Sequence, residues 1–240
     1  MLQGCLNGSR TKSFHPATPY TPEELARDAE AAVRAGAEEL HIHPRSADGA
    51  ESLAPDDIGG ALLAVRGRVP GIPIGVSTRW PIRPGGRARQ ADIRGWEILP
   101  DYVSVNLVEE DAPEVIGLAL SKGVGIEAGV WSVADAERLV RLPETGRCLR
   151  VLIEINEQDE AEARAVAEGI LAVLDRAGIA LPRLLHGYEA TKWPIYRMAL
   201  ARGLDSRIGL EDGAHLPSGE RAADNAGLLR AARQLAAAAG

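Results

Sequence analysis

Short apolar runs alternate with longer amphipathic segments along the whole chain. The longer segments repeat their apolar residues every three or four positions, the spacing that buries one face of a helix. Strands that alternate with helices are typical of βα units, which build a parallel sheet. The predicted strands are Leu2–Leu6, Glu39–Pro44, Ile74–Thr78, Tyr102–Leu107, Gly125–Gly129, Leu149–Ile155, Leu184–Gly187 and Arg207–Leu210.

Eight helices are predicted between and after these strands. The first has the clearest start, because Thr21, Pro22 and Glu24 supply a capping threonine, a proline at the first helical position and a glutamate at the third. Gly36 is expected to end it in a left-handed turn. The predicted helices are Pro22–Ala35, Pro55–Arg68, Ala91–Ile98, Ala112–Lys122, Val133–Leu142, Glu160–Ala177, Thr191–Arg202 and Gly219–Ala239.

This strict order predicts a (β/α)8 TIM barrel with parallel strands, in which residues 1–240 form one catalytic domain. An open doubly wound sheet is the alternative fold. Such sheets usually carry a glycine-rich phosphate loop after the first strand, whereas the segment LNGSRTK fits neither the GxGxxG nor the GxxxxGK[ST] spacing. The barrel is therefore favoured.

Composition narrows the class of protein. The chain has 240 residues, 45% of them hydrophobic, which is enough for one sizeable core. Its net charge of −7 without a basic stripe argues against nucleic acid as a partner, and no apolar run is long enough to cross a membrane. We expect a cytoplasmic protein in which Cys5 and Cys148 are buried thiols, since their spacing fits no zinc motif.

Polar side chains recur in the last half of the predicted strands. In a TIM barrel these ends form the active-site face, and burying charges there is costly unless they are paired or bind a ligand. These side chains are His41, His43, Ser77, Thr78, Ser104, Asn106, Glu127, Glu154, Asn156, His186, Glu211 and Asp212.

A metal site is one explanation for the pair His41 and His43. Residues two apart in a strand share a face, so the two imidazoles can converge on one ion. Two neutral imidazoles and a carboxylate are the ligands of a catalytic zinc site. Glu211 is the candidate third ligand, with Glu127 and Glu154 as alternatives, and two hydrogen-bonded core histidines remain the competing interpretation.

Several stretches resemble the β-keto acid cleavage enzymes, a family of zinc-dependent (β/α)8 barrels. HIHPRSADG resembles the family's H-x-H-x-R-D-x-x-G stretch, and RIGLEDG resembles its R-x-G-L-E-D stretch. HPATPYTPEELARDAEAAVRAGA is similar to the segment before the histidines, and GVSTRW and GIEAGVW fall where the family places further active-site residues. Ser46 departs from the pattern, because the family usually has aspartate there, and the chain is short for the family.

The resemblance implies roles for particular residues. It implies Zn²⁺ on His41, His43 and Glu211, and Asp212 with Arg207 as a catalytic acid–base pair. Glu127 would be a further catalytic residue that helps to hold substrate. The residues expected to bind substrate are Ser77, Thr78 and Asn106.

The reaction implied by the resemblance converts a β-keto acid and acetyl-CoA into acetoacetate and a new acyl-CoA, and the family suggests a homo-oligomer. One alternative is a metal-dependent hydrolase of the amidohydrolase kind, although those barrels place HxH on their first strand. Another is a barrel that binds a metal or metabolite without catalysis. Arg207 and Asp212 would then form a structural ion pair, and Ser77 and Thr78 would be strand-end caps.

Overall fold

Eight parallel strands form the inner wall of a barrel in a computed structural model of the protein, which describes residues 1–239. The sequence builds them from short β-branched and aliphatic runs whose residues are almost all buried. The strands are β1 (Leu2–Cys5), β2 (Glu39–Ile42), β3 (Ile74–Ser77), β4 (Tyr102–Asn106), β5 (Gly125–Val130), β6 (Arg150–Ile155), β7 (Arg183–Gly187) and β8 (Ser206–Ile208).

Each strand is followed by an α-helix that packs on the outside of the barrel. The helices are α1 (Pro22–Arg34), α2 (Pro55–Arg68), α3 (Arg89–Gly95), α4 (Ala112–Ser121), α5 (Val133–Arg141), α6 (Glu160–Arg176), α7 (Lys192–Ala201) and α8 (Asn225–Ala239). Single 3₁₀ turns lie at Gly86–Ala88, Thr145–Arg147 and Glu189–Thr191.

The barrel closes between the last two strands. The hydrogen-bonded order runs β7-β6-β5-β4-β3-β2-β1-β8, and β8 pairs with β1 in the register Leu2↔Ser206. A parallel bridge between Leu184 and Asp205 joins β7 to the start of β8, where the Ser206 hydroxyl donates to the Leu185 carbonyl at 2.7 Å. The predicted single-domain (β/α)8 barrel is confirmed.

The first helix begins and ends as the sequence predicts. The Thr21 hydroxyl accepts a hydrogen bond from the Glu24 amide at 3.2 Å, and the Glu24 carboxylate accepts one from the Thr21 amide. This reciprocal capping box satisfies amides that have no partner within the helix. Gly36, which follows α1, has φ +109°, a conformation that side-chain-bearing residues rarely adopt.

The predicted end of the last strand and start of the last helix are wrong. Strand β8 stops at Ile208 because Gly209 passes close to β1, where an added Cβ would lie 1.8 Å from the Cys5 carbonyl oxygen. Helix α8 begins at Asn225 rather than Gly219, and the Asp224 carboxylate accepts the Gly227 amide at its start. The chain before it instead forms a short antiparallel bridge, His215↔Arg221.

Helix α3 also lies earlier than predicted, at Arg89–Gly95 instead of Ala91–Ile98. It ends because Trp96 adopts an extended conformation and buries its ring, with the indole N–H donating to the Leu53 carbonyl at 2.8 Å. Cys5 and Cys148 are buried free thiols, as predicted. Among the described helices, none combines the length and apolar character needed to span a membrane.

Candidate active site

A cavity of about 230 Å³ lies at the C-terminal ends of the strands, where catalytic residues of TIM barrels are found. Seven of the nine predicted site residues line it. The lining residues are Ser9, His41, His43, Ser77, Arg79, Ser104, Asn106, Trp131, Leu152, Glu154, Asn156, Tyr188, Arg207, Glu211 and Asp212.

The three predicted metal ligands converge on one side of this cavity. His41 Nε2 and His43 Nε2 are 3.2 Å apart, and Glu211 Oε1 lies 3.4 Å from His43 Nε2 and 4.0 Å from His41 Nε2. Ligand atoms bound tetrahedrally at zinc distances are about 3.3 Å from one another. The separations therefore suit a single small divalent ion.

Glu211 reaches the histidines because the chain leaves strand geometry after β8. Residues 209–212 form a turn in which the Asp212 amide donates to the Gly209 carbonyl at 3.1 Å. Glu211 then packs over Gly8, whose φ is +52° and where a Cβ would lie 2.5 Å from Glu211 Cγ. Glu211 Oε2 is buried and accepts no hydrogen bond from the described residues, so this oxygen has capacity left for a ligand.

Two residues that the sequence interpretation missed orient His43. Glu51 Oε1 lies 2.5 Å from His43 Nδ1, while the opposite nitrogen, Nε2, faces His41 and Glu211. The Asn7 side chain bonds both the amide and the carbonyl of His43, at 2.9 and 2.8 Å. The turn signal Asp48-Gly49 could have placed Glu51, since the chain reverses there and Glu51 bridges back to Arg45.

The pKa shifts of two of the three residues, His41 and Glu211, suit metal binding. Burial lowers the pKa of His41 to about 3, so that this imidazole is neutral. Burial also opposes a charge on His43, but Glu211 and Glu51 raise its pKa above the usual value. Burial would raise the pKa of Glu211, yet Arg207 and the two histidines hold it well below the usual range. The carboxylate is ionised, as a ligand must be.

Asp212 lies beside this cluster with its carboxylate fully buried. Arg207 Nη2 donates to Asp212 Oδ1 at 3.0 Å, and the Cys5 thiol donates to Oδ2 at 2.9 Å. His186 Nδ1 is 3.5 Å from the same Oδ2. Burial favours the neutral acid, but Arg207 and His186 lower the pKa of Asp212 below its usual value. Neither Cys5 nor His186 was predicted as a site residue.

Arg79 is a further cavity residue without a sequence prediction. Its Nε is buried and donates to none of the described residues, and its Nη2 is 3.5 Å from Glu51 Oε2. The loop that carries it is fixed by fully buried Arg89, which donates to Glu109 at 2.6 Å and to Asp111 at 2.9 Å. Arg79 thus lines the cavity with a buried Nε that has no acceptor among the described residues.

The structure does not bring Thr78 and Glu127 to the cavity. The Thr78 hydroxyl donates to the Ser104 carbonyl at 2.8 Å, so that it caps a strand end. Glu127 lies deeper, where Gln3 Nε2 donates to it at 2.8 Å and Arg150 Nε is 3.2 Å away. Its register partner Arg150 is the first residue of β6, which places Glu127 toward the N-terminal end of the barrel.

Because Glu127 and Arg150 lie below the cavity, we expect their ion pair to affect the stability of the barrel rather than the chemistry. Replacing Arg150 by methionine leaves Glu127 and Glu39 without their shared cation, so we expect a loss of about 3–5 kcal/mol in the free energy of unfolding. Urea denaturation measures the change, with Arg141→Met as the exposed control at about 0–1 kcal/mol. A loss of under 1 kcal/mol for the Arg150 variant would contradict this account.

With Ser46 in place of an acid, Arg45 keeps three acceptors for its terminal nitrogens, while its buried Nε donates to none of the described residues. The Arg45 guanidinium donates to the carbonyls of Gly8, Arg10 and Gly49, each at 2.8 Å, and stacks 4.2 Å over the Tyr20 ring. The Ser46 hydroxyl bonds within its own turn, to Asp48 at 2.6 Å. Arg45 therefore holds the loops around the histidines without a carboxylate at position 46.

Comparison with known proteins shows which family this chain matches. A family model described as beta-keto acid cleavage enzyme matches residues 1–240. The chain is 23% identical over 242 residues to the 3-keto-5-aminohexanoate cleavage enzyme of Fusobacterium nucleatum, covering 94% of this chain and 86% of that protein. It is 35% identical over 96 residues to the 3-oxoadipate:acetyl-CoA acetyltransferase of Cupriavidus necator, covering 39% and 32% of the two proteins.

Among solved structures, a ternary complex of ObcA with a C4-CoA adduct and oxalate superposes with a TM-score of 0.74 at 18% identity. The match covers 91% of this chain and 63% of that one, so this chain spans less than two thirds of the ObcA structure. At 18% identity, this similarity shows that the two proteins share the barrel fold.

Proposed function

The chain belongs to the β-keto acid cleavage enzyme family, and from that premise we propose that it exchanges acyl groups between a β-keto acid and acetyl-CoA, giving acetoacetate and a new acyl-CoA. The observation that supports this most is the convergence of His41, His43 and Glu211 beside the buried carboxylate of Asp212. An ion that activates a ketone and a base that removes the neighbouring proton are what this chemistry requires.

We propose Zn²⁺ as the ion and His41, His43 and Glu211 as its ligands. The ligand set, the ligand separations and the unused Glu211 Oε2 all support this assignment. When bound, the ion would polarise the keto oxygen and lower the pKa of the adjacent carbon acid. Glu51 would keep the Nε2 lone pair of His43 directed at it.

Asp212 would take the proton from the carbon between the ketone and the carboxylate of the substrate. It is ionised, it lines the cavity, and Arg207 holds one oxygen while Cys5 holds the other. A carboxylate is a weak base for such a carbon, so the step depends on activation of the ketone. When Asp212 later gives up this proton, Arg207 would stabilise the negative charge on its carboxylate.

The bond changes balance without any further reactant. The deprotonated carbon attacks the acetyl thioester, a carbon–carbon bond forms, and the CoA thiolate leaves. The thiolate then attacks the original ketone, and the older carbon–carbon bond breaks to give the new acyl-CoA. The proton held by Asp212 returns to the departing carbon, which is released as acetoacetate.

The substrate carboxylate would bind on the β3–β4 side of the cavity. The Ser77 hydroxyl and the Asn106 amide line it there, and Arg79 adds a guanidinium with unused donors. Hydrogen bonds from a charged donor to a carboxylate are the strongest available. This site leaves no contact for Thr78 or Glu127 with substrate.

A substrate panel tests the proposal. Purified protein loaded with one equivalent of Zn²⁺ is incubated with acetyl-CoA and each of several β-keto acids, and acetoacetate and acyl-CoA are quantified by mass spectrometry. We expect both products in equal amounts from at least one β-keto acid, and none without acetyl-CoA. Release of free CoA without acetoacetate would indicate thioester hydrolysis and would contradict the proposal. Light scattering on the same sample checks the expected homo-oligomer.

A further inference from the structure

Glu211 and Asp212 are neighbours in the chain, yet they have different tasks in the proposed reaction. Glu211 is a proposed zinc ligand and Asp212 is the proposed base. Both follow the end of β8 at Ile208 and lie outside any strand or helix, so no regular structure sets their positions. Where the two carboxylates point therefore depends on how the backbone of this segment is held.

The backbone carbonyls of residues 211–213 each accept a hydrogen bond from a different residue elsewhere in the chain. Arg10 Nε donates to the first carbonyl at 3.0 Å, and the Glu189 amide donates to the second at 2.7 Å. Lys192 Nζ, at the start of α7, donates to the third at 2.5 Å. We refer to Arg10, Glu189 and Lys192 as the carbonyl clamp.

The clamp is also held together internally and from the histidine side. Arg10 Nη2 forms an ion pair with the Glu189 carboxylate. The Arg10 guanidinium lies between the Phe14 and Tyr188 rings, 4.0 and 4.6 Å from their centroids, an attractive arrangement for a cation. The Arg10 carbonyl accepts from Arg45 Nη2 at 2.8 Å. The clamp thus joins the carboxylate segment to the loop that follows the two histidines.

Two residues at the clamp have backbone conformations that most side chains disfavour. Glu189 has φ +48°, and Gly213 has φ +146°. A Cβ added at Gly213 would lie 3.1 Å from Glu189 Oε2 and 3.4 Å from Lys192 Nζ, so a side chain there would crowd the clamp. Residues with side chains keep such conformations only where the surrounding contacts determine them, and these positions cluster at functional sites.

Lys192 uses its charge inside the protein. The side chain is buried, and its ammonium donates to the Gly213 carbonyl and lies 5.1 Å from the Trp193 ring. Burial lowers the pKa of Lys192 to about 8 against the attraction of Asp212, so the ammonium is charged at neutral pH. A buried charge is costly, and here it is placed on the backbone directly after the proposed base.

We propose that the carbonyl clamp positions Glu211 and Asp212, so that one carboxylate reaches the ion while the next reaches the substrate. This inference rests on the proposed function and adds positioning residues to it. Arg10 holds the carbonyl of the proposed ligand, so its loss should weaken zinc binding. Lys192 holds the carbonyl after the proposed base, so its loss should slow the chemical step.

Methionine variants separate these two effects, because methionine keeps an apolar stem and removes the donors. Arg10→Met is expected to weaken zinc binding by about 10- to 100-fold, the range for loss of a partner that orients a ligand. Lys192→Met should keep the zinc affinity but lower kcat at saturating zinc by about 10- to 100-fold with little change in KM, because small misplacements of a reacting group are this costly. Chelator competition and steady-state acetoacetate formation measure the two effects.

The chain offers matched controls that make the same kinds of bond away from the cavity. Arg233 Nε donates to the Gly36 carbonyl at 2.9 Å, and Arg233 Nη2 pairs with Glu38. Lys122 Nζ donates to the Arg94 carbonyl at 2.9 Å. Arg233→Met and Lys122→Met should therefore keep wild-type zinc affinity and kcat, whatever they do to thermal unfolding.

Arg10→Lys and Lys192→Gln keep a donor, and they should fall between the methionine variants and the wild type. Thermal unfolding gives the folded fraction of every variant. Wild-type zinc affinity and kcat per folded chain in the clamp variants, or in this milder pair where a methionine variant does not fold, would overturn the inference and leave the proposed function intact. No acetoacetate from the wild type would overturn the proposed function, and chelator competition would still decide whether Arg10 positions Glu211.

Discussion

Asp212→Asn is expected to lower kcat by about 10²–10⁴-fold, the usual contribution of a general base. Asparagine preserves the shape of the side chain and its place beside Arg207, but it cannot accept a proton from carbon. Because Asp212 is not among the three proposed ligands, bound zinc should stay at one equivalent per chain. Steady-state acetoacetate formation and metal analysis of the same preparation measure the two effects together.

Asp56→Asn, in the first turn of α2, is the matched control for this substitution, since Asp56 is exposed and does not line the cavity. It should keep wild-type kcat. An Asp212 variant with more than a tenth of wild-type kcat would show that another group removes the proton. A variant that loses its zinc together with its activity would show that Asp212 supports the metal instead.

Removal of a metal ligand should have the other large effect. His43→Ala is expected to weaken zinc binding by more than about 100-fold, because loss of an outer partner alone typically costs 10–100-fold. Turnover should fall to the level without metal. Glu51→Gln, which changes only the partner of His43 Nδ1, should lie between this variant and the wild type. Competition with a chromogenic chelator measures all three affinities.

His215→Gln serves as the control for the ligand series, because His215 is exposed and lies outside the cavity lining. We expect its zinc affinity to match the wild type. If His43→Ala retained wild-type affinity, the ion would bind elsewhere and the proposed ligand set would be wrong.

The fold was predictable because its signals are local. The alternation of apolar runs with amphipathic segments placed all eight strands, and the Thr21 capping box and Gly36 placed the ends of α1. Errors arose where a distant segment decides the local conformation. Gly209 ends β8 because the Cys5 carbonyl passes 1.8 Å from where its Cβ would be, and no local pattern shows that approach.

The candidate site, like the fold, was predictable only where local sequence patterns decide the position of a residue. Strand parity brought His41 and His43 to one face, and closure of the barrel brought Glu211 to them. Strand alternation predicts which face Glu127 occupies but not its height along the barrel axis, because tilted and staggered strands contribute residues to layers at different heights. Glu127 consequently lies opposite the first residue of β6, not at the cavity. Cys5 and Arg79 were missed because their roles depend on which buried groups approach them.

Anomalous diffraction at the zinc absorption edge, on crystals of the protein with one equivalent of Zn²⁺, tests the central claim most directly. The account predicts one strong peak per chain at about 2.0–2.2 Å from His41 Nε2, His43 Nε2 and a Glu211 oxygen. An absent peak at these residues in a well-ordered barrel, or a peak held by other side chains, would contradict it.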